Sequence, residues 1–102
     1  MIIFIKKQQF DKIVDGELKK IYREVKPYYI DRFKAMGLLD QYNLPTLLTK
    51  KIRLQTGQGE KAGVIVADVT IDITDSSQTR DTEPDKKYFC LNIKEISIKQ
   101  KE

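Results

Sequence analysis

Residues 63–73 carry the longest alternation of apolar and polar side chains in the chain, and this pattern limits the possible folds more than any other feature. A β-strand points successive side chains to opposite faces, so the alternation predicts a strand over 63–72 with one buried face. We expect it to be the longest strand of the molecule. The apolar residues on the buried face are Ile65, Ala67, Val69, Ile71 and Ile73.

Two further strands flank this one in sequence, with no helix between the three. One covers residues 47–55, with Ile52 and Leu54 inward, and is joined to the long strand by a hairpin turn over 56–61. The residues of this strand expected to face outward are Lys51, Arg53 and Gln55.

The other flanking strand covers 88–98 and follows a polar loop over 76–85 that contains no apolar residue. Its apolar phase shifts between Ile93 and Ile96, which predicts a bulge or bend near Lys94 and Glu95.

The first half of the chain alternates between strand and helix patterns. Residues 1–5 and 19–25 read as strands, and residues 7–15 and 27–36 read as helices. Pro27 suits the first turn of the second helix, where its missing N–H costs nothing. Gly16 and Gly37 stand where the two helices should stop, and residues 38–46 form a connector with a breaker at Asn43, Leu44 and Pro45.

The resulting order, β-α-β-α-β-β-β, predicts an α+β fold. The chain has 102 residues, of which 40% are hydrophobic and 33% charged, and this suits a single globular domain over 1–102. Three consecutive strands argue against a parallel doubly wound sheet. We expect a small barrel of five to six mostly antiparallel strands with two short helices.

Missing residue types exclude several kinds of chemistry. The chain has no histidine and one cysteine, Cys90, so it offers no intrachain disulfide, no Cys/His zinc site and no histidine-based triad. Cys90 lies within a predicted strand and is expected to be an inert buried thiol. We expect a reducing, cytoplasmic location, no signal peptide, no membrane span, no metal and no cofactor.

Positive charge is concentrated in the first part of the chain. Residues 1–53 contain 12 basic and 6 acidic side chains, a net charge of +6, whereas the remainder carries −2. A positive field of this kind favours a polyanionic partner such as nucleic acid or an acidic protein. The alternative is an ordinary lysine-rich surface.

The segment from Gly16 to Tyr29, followed by Arg32, resembles the signature region of ASCH domains in the PUA-like superfamily. The similarity is closest to small phage-type and bacterial members whose second strand reads Arg-Glu-(Ile/Val)-Lys-Pro-Tyr-aromatic, here Arg23 onward. It implies a five- or six-stranded barrel with a cleft between barrel and helices, and an RNA-related role. Some members hydrolyse acetylated cytidine, and others are ribonucleases.

The chain departs from the family motif Gly-x-Lys-x-x-Glu-x-Arg at two positions. Gly16 and Arg23 match the motif, but Leu18 occupies the lysine position and Ile21 the glutamate position. In the amidohydrolase members, the residue at the Ile21 position is a catalytic threonine. Neither Leu18 nor Ile21 can move a proton or act as a nucleophile. The departures argue against an enzyme.

The leading hypothesis is therefore binding of RNA or single-stranded nucleic acid. Arginine forks grip phosphate, and tyrosine can stack on an unpaired base. The cations could instead be structural: Arg23 paired with Glu24 or Asp31, and Lys51 and Arg53 part of a solvated edge. The candidate binding residues are Arg23, Lys26, Tyr28, Arg32, Lys51 and Arg53.

Two alternatives belong to other classes. One is a small amidohydrolase or nuclease acting on a nucleoside or RNA, with Lys19 or Glu24 as the weak candidates for acid or base. The other is a phage-type module that binds a protein partner. Asp68, Thr70 and Asp72 alternate on one strand face and could hold a hard cation, although an ordinary polar face is the favoured interpretation.

Overall fold

A computed structural model describes residues 1–59, 61–75 and 86–100 of the chain. Within these residues the fold is α+β, as predicted, with two helices and a five-stranded sheet. The predicted loop over 76–85 and Glu60 of the predicted turn lie outside the described residues. The elements are β1 (Ile2–Phe4), α1 (Lys7–Val14), β2 (Lys20–Glu24), α2 (Pro27–Ala35), β3 (Lys50–Gln55), β4 (Val64–Asp75) and β5 (Lys87–Gln100).

The sheet has the strand order β1-β3-β4-β5-β2 and is mixed. β1 runs parallel to β3, with Ile3 opposite Leu54, whereas β2 runs antiparallel to β5, with Tyr22 opposite Cys90. The predicted order of elements is therefore confirmed, and the sheet includes a parallel pair, β1 with β3, that the prediction of mostly antiparallel strands did not single out. Closure of the strands into a PUA-like barrel stays a prediction.

The chain groups into two compact units. The first contains Met1–Lys19, Lys51–Val69 and Ile93–Glu102, and the second contains Lys20–Lys50 and Thr70–Asn92. A single domain over the whole chain stays a prediction.

In the first unit, α1 buries the residues that its spacing predicts. Phe10 and Ile13 are buried, as are Ile3 and Ile5 from the β1 segment. The main-chain N–H of Lys6 donates to Gln9 Oε1 at 3.2 Å, which satisfies one free donor at the start of the helix. After the helix, Gly16 has φ +81°, the left-handed conformation that ends helices, as predicted.

In the second unit, α2 begins at Pro27 and is followed by Gly37 at φ +81°, again as predicted. Its fully buried residue is Phe33, whose ring meets that of Phe89 edge to face with centroids 5.0 Å apart. Such aromatic pairs add about 0.5–1.5 kcal/mol beyond burial of their area. Phe33 therefore anchors the helix and sets the position of the residues one turn before it.

The alternating face of β4 is confirmed. Ile65, Ala67, Val69 and Ile71 are each no more than 1% exposed, and Ile73 is half-buried. However, β4 is not the longest strand, because β5 has 14 residues against 12. Within β5, Lys94 and Glu95 are consecutive exposed residues and interrupt the alternation where a bulge was predicted.

Two expectations for the third strand are wrong. It begins at Lys50 rather than at residue 47, because Leu47 has φ +67°, which a β-strand does not accept. Gln55 is buried rather than outward, since its amide has two partners: it accepts from Arg53 Nε at 2.8 Å and donates to the Gly57 carbonyl at 2.7 Å. Ile52 and Leu54 are buried as predicted.

Candidate nucleic-acid interface

An exposed tyrosine and an arginine lie against each other at the start of α2. Tyr28 is 54% exposed, and Arg32 Cζ lies 5.4 Å from the centroid of its ring. The two residues are four apart on one helix, a spacing that makes side chains neighbours. A guanidinium over an aromatic face is a cation–π contact, which orders both groups.

A row of aromatic rings connects Tyr28 to the buried part of the second unit. Tyr28 meets Tyr29 edge to face with centroids 5.1 Å apart, and Tyr29 stacks on Phe33 with centroids 5.8 Å apart. Tyr29 is half-buried, which suits the predicted role of a helix core residue. The row holds Tyr28 from one side, so this exposed ring has a fixed support.

Glu24 bridges two lysines beside this helix start. Its carboxylate oxygens lie 3.4 Å from Lys26 Nζ and 3.2 Å from Lys86 Nζ. The hydrogen bond from Lys86, with the charge of Lys26, lowers the pKa of Glu24 below its ordinary value of 4.5. The three groups together keep a net positive charge at neutral pH, and Lys26 remains well exposed.

Arg23 is half-buried, next to the buried Ile21 of the same strand. Its Nη1 donates to the main-chain carbonyl of Tyr22 at 2.6 Å, so the guanidinium lies against its own strand. The bond orients the side chain and occupies one of its five donors.

The structure places Lys51 and Arg53 in the first unit, while Arg23, Lys26, Tyr28 and Arg32 belong to the second. Lys51 Nζ lies 3.0 Å from Asp68 Oδ1 and 3.1 Å from Ser97 Oγ, so an acid offsets its charge. Arg53 is exposed on the same strand and uses Nε to hold Gln55. The candidate cations are therefore divided between the two units, and the second unit also contains the candidate aromatic residue, Tyr28.

The weak catalytic candidates differ in their surroundings. Lys19 is exposed, and its carbonyl accepts from Ile93 N at 2.8 Å. Glu24 is held in its ionised form by the two lysines. Leu18 is half-buried and Ile21 buried, so apolar side chains fill the two positions where the ASCH motif has lysine and glutamate.

The remaining sequence hypotheses concern Asp68, Asp72 and Cys90. Asp68 bonds to Lys51, while Asp72 Oδ2 accepts from Asn92 Nδ2 at 2.9 Å, so each carboxylate has a protein partner. Among the described residues no group of three or more His, Cys, Asp or Glu side chains could hold a metal ion. Cys90 is buried and free, and burial raises the pKa of its thiol.

The 56–61 turn is confirmed as a hairpin connection over its described residues. Thr56 N–H donates to the Gly63 carbonyl at 3.0 Å, and Gly63 N–H donates to Thr56 Oγ1 at 2.9 Å. These bonds close the loop between β3 and β4.

Sequence reasoning missed two features. Lys86 was not singled out, because its pairing with Glu24 crosses a long stretch of sequence. The connector after α2 exposes four large apolar side chains, of Tyr42, Leu44, Leu47 and Leu48. The sequence signal for these exposed side chains was a run of apolar residues next to Asn43 and Pro45, which predict a break in regular secondary structure.

Comparison with known proteins gave no match among family models, curated proteins or solved structures. In the described part of the chain, neither helix is long and apolar enough to cross a membrane.

Proposed function

We propose that this chain binds single-stranded nucleic acid, RNA in the first place, through the surface at the start of α2. Lys26 and Arg32 contact phosphate, and Tyr28 stacks on a base. Arg23 supports the same surface from β2. The ASCH resemblance of residues 16–29 belongs to this proposal and is in keeping with an RNA-related role.

The observation that carries the proposal is the exposed Tyr28 ring beside the Arg32 guanidinium. Single strands are bound by aromatic side chains on which bases stack, combined with cations that follow the backbone. Tyr28 and Arg32 supply both elements within one helical turn, with Lys26 two residues before the tyrosine.

Electrostatics supports the same surface. Residues 1–53 carry a net charge of +6, and the Glu24 carboxylate is shared between two lysines, Lys26 and Lys86. Such a field raises the local concentration of a polyanion and its rate of association.

The test is fluorescence anisotropy of a labelled 12-nucleotide single-stranded RNA titrated with wild type, Tyr28→Ala, Tyr28→Phe and Lys12→Ala. Stacking on one base contributes about 1–3 kcal/mol, so we expect Tyr28→Ala to weaken binding about fivefold or more. Tyr28→Phe keeps the ring and should bind almost as wild type does. Lys12 is an exposed cation on α1, and Lys12→Ala should have little effect.

Equal affinities for wild type and a folded Tyr28→Ala variant would refute the assigned surface. The same titration with single-stranded DNA of matching sequence shows whether the protein prefers RNA to DNA, because only RNA has the 2′-hydroxyl. Absence of binding to both at low salt would refute the function itself.

A further inference from the structure

The connector between α2 and β3 has a backbone that is ordered by hydrogen bonds. Asp40 Oδ1 accepts from the main-chain N–H groups of Tyr42 at 2.8 Å and Leu44 at 3.0 Å. The main chain of Asp40 also donates to the Leu44 carbonyl at 2.8 Å and accepts from Asn43 N–H at 3.0 Å. Four bonds to one residue fix the backbone of the turn.

The base of this loop is tied to the core of the second unit. Leu38 and Leu39 are buried, and Leu39 pairs with Pro45 in an isolated β-bridge. Thr46 donates twice, from N–H to the Leu38 carbonyl at 3.0 Å and from Oγ1 to the Gly37 carbonyl at 2.7 Å. The segment 42–48 is called here the apolar loop, and these bonds hold its backbone from Tyr42 to Thr46.

The apolar loop displays side chains that a folded chain would normally bury. Tyr42 and Leu47 are each 73% exposed, Leu44 is 55% and Leu48 is 51% exposed. Isolated exposed apolar residues are common, but four large ones within seven residues are the composition of an interaction site.

Leu47 adds an independent sign of function. It has φ +67°, a left-handed conformation that is unfavourable for a side chain with a Cβ. Its side chain makes no compensating burial within the described residues. Strained residues of this kind concentrate at sites where the conformation serves binding.

Positive charge borders the apolar loop. The side chain of Lys50 lies near Gly37 at the base of the loop, because Lys50 Cε would be 3.8 Å from a Cβ built at Gly37. The carbonyl of Gly37 is the one that accepts from Thr46 Oγ1. The main-chain carbonyl of Lys34 accepts from Gly37 N–H at 3.0 Å, so this exposed lysine stands in the last helical turn before the loop. The one acid in residues 32–50 is Asp40, whose carboxylate is engaged by the turn.

We propose that the apolar loop is a docking surface for a protein segment that combines large apolar side chains with acidic ones. The apolar side chains of the partner pack on Leu44, Leu47 and Leu48, and its carboxylates meet Lys34 and Lys50. The charge bordering the loop selects an acidic partner over a neutral or basic one. The proposal is independent of nucleic-acid binding, which uses other residues.

The test is selection of displayed random 12-residue peptides on the immobilised full chain, followed by anisotropy titration of the recovered peptides. We expect recovered sequences rich in Leu, Phe or Trp together with Asp and Glu. Their affinity should fall at least tenfold in Leu44→Ser/Leu48→Ser and in Lys50→Glu. Ile2→Ser is the matched control, because it removes a similarly exposed aliphatic residue from β1 in the first unit.

Circular dichroism and thermal unfolding check that each variant is folded, and Lys50→Glu leaves every apolar side chain of the loop in place. Failure to enrich acidic apolar peptides, or equal binding to wild type and the double variant, would overturn the proposal. Sedimentation showing self-association that the double variant abolishes would overturn it in favour of a second copy. RNA binding lost in the double variant would instead assign the loop to nucleic acid.

Discussion

At the scale of single residues, the contact between Gly63 and Phe10 is the closest that a Cβ added at any of the five glycines would make. A Cβ at Gly63 would lie 2.8 Å from Phe10 Cζ and 2.9 Å from Cε2, and both residues are buried. Overpacking of a core costs about 1–3 kcal/mol. We expect Gly63→Ala to lower the free energy of unfolding by that amount, as measured by urea titration.

Gly57→Ala is the control for this change, since a Cβ at Gly57 meets no atom within 4 Å and Gly57 lies in the same turn region. Equal loss of stability in the two variants would show that the contact with Phe10 is not the cause.

Glu24 provides a second test at the residue scale, through pH. The hydrogen bond from Lys86 and the charge of Lys26 lower the pKa of the folded-state carboxyl below 4.5. A carboxyl whose pKa is lower in the folded state stabilises the folded protein at pH values above its unfolded-state pKa. This stabilisation is lost as the pH falls through the folded-state pKa. Urea titrations should therefore show wild type more stable than Glu24→Gln above about pH 5.

This difference should disappear once the pH falls below the lowered folded-state pKa, where the carboxyl is protonated in both states, and it should shrink in high salt, because the ion pairs are exposed. A difference that is constant from pH 3 to pH 7 would show that charge is not its origin.

At the scale of elements, the predictions succeeded where a local rule governs the backbone. Pro27 and Gly37 mark the start and the stop of α2, and the period of two in β4 gives its buried face. The start of β3 was not predictable, because Leu47 and Leu48 have the composition of a strand. The hydrogen bonds of Thr46 to the α2 end and the positive φ of Leu47 override that composition.

The apolar loop carries the prediction at this scale. Asparagine tolerates the left-handed conformation far better than leucine does, and the Leu47 side chain is mostly exposed, so its removal loses little burial. Because the left-handed conformation costs an ordinary residue about 1–2 kcal/mol, we expect Leu47→Asn to raise the free energy of unfolding by about 1 kcal/mol, measured by urea titration.

Leu44→Asn makes the same chemical change at an exposed residue of the loop that does not have a positive φ, and it should bring no gain. A gain of the same size in both variants would assign the effect to lost surface hydrophobicity. Stability gained together with weaker peptide binding in Leu47→Asn is the trade-off expected of a strained binding residue.

At the scale of the whole molecule, the predicted surface depends on which cations remain available. The sequence places Arg23, Lys26, Arg32, Lys51 and Arg53 in one basic half, and it groups Lys26, Tyr28 and Arg32 around the start of α2. The ion pair of Lys51 with Asp68 was beyond the sequence, because it depends on the pairing of distant strand residues. Counting charges along the sequence therefore identified the basic region, but it could not show which of its cations are paired with an acid.

The salt dependence of RNA binding measures this distinction. Each phosphate neutralised on a single strand contributes about 0.7 to the slope of log affinity against log salt. We expect Lys26→Ala/Arg32→Ala to reduce the slope by about 1.4, since it removes two phosphate contacts. Lys51→Ala/Arg53→Ala should reduce it less, because the Asp68 carboxylate already offsets the charge of Lys51. A reduction of the same size in the second pair would mean that RNA displaces Asp68 from Lys51 and that both units contribute to the interface.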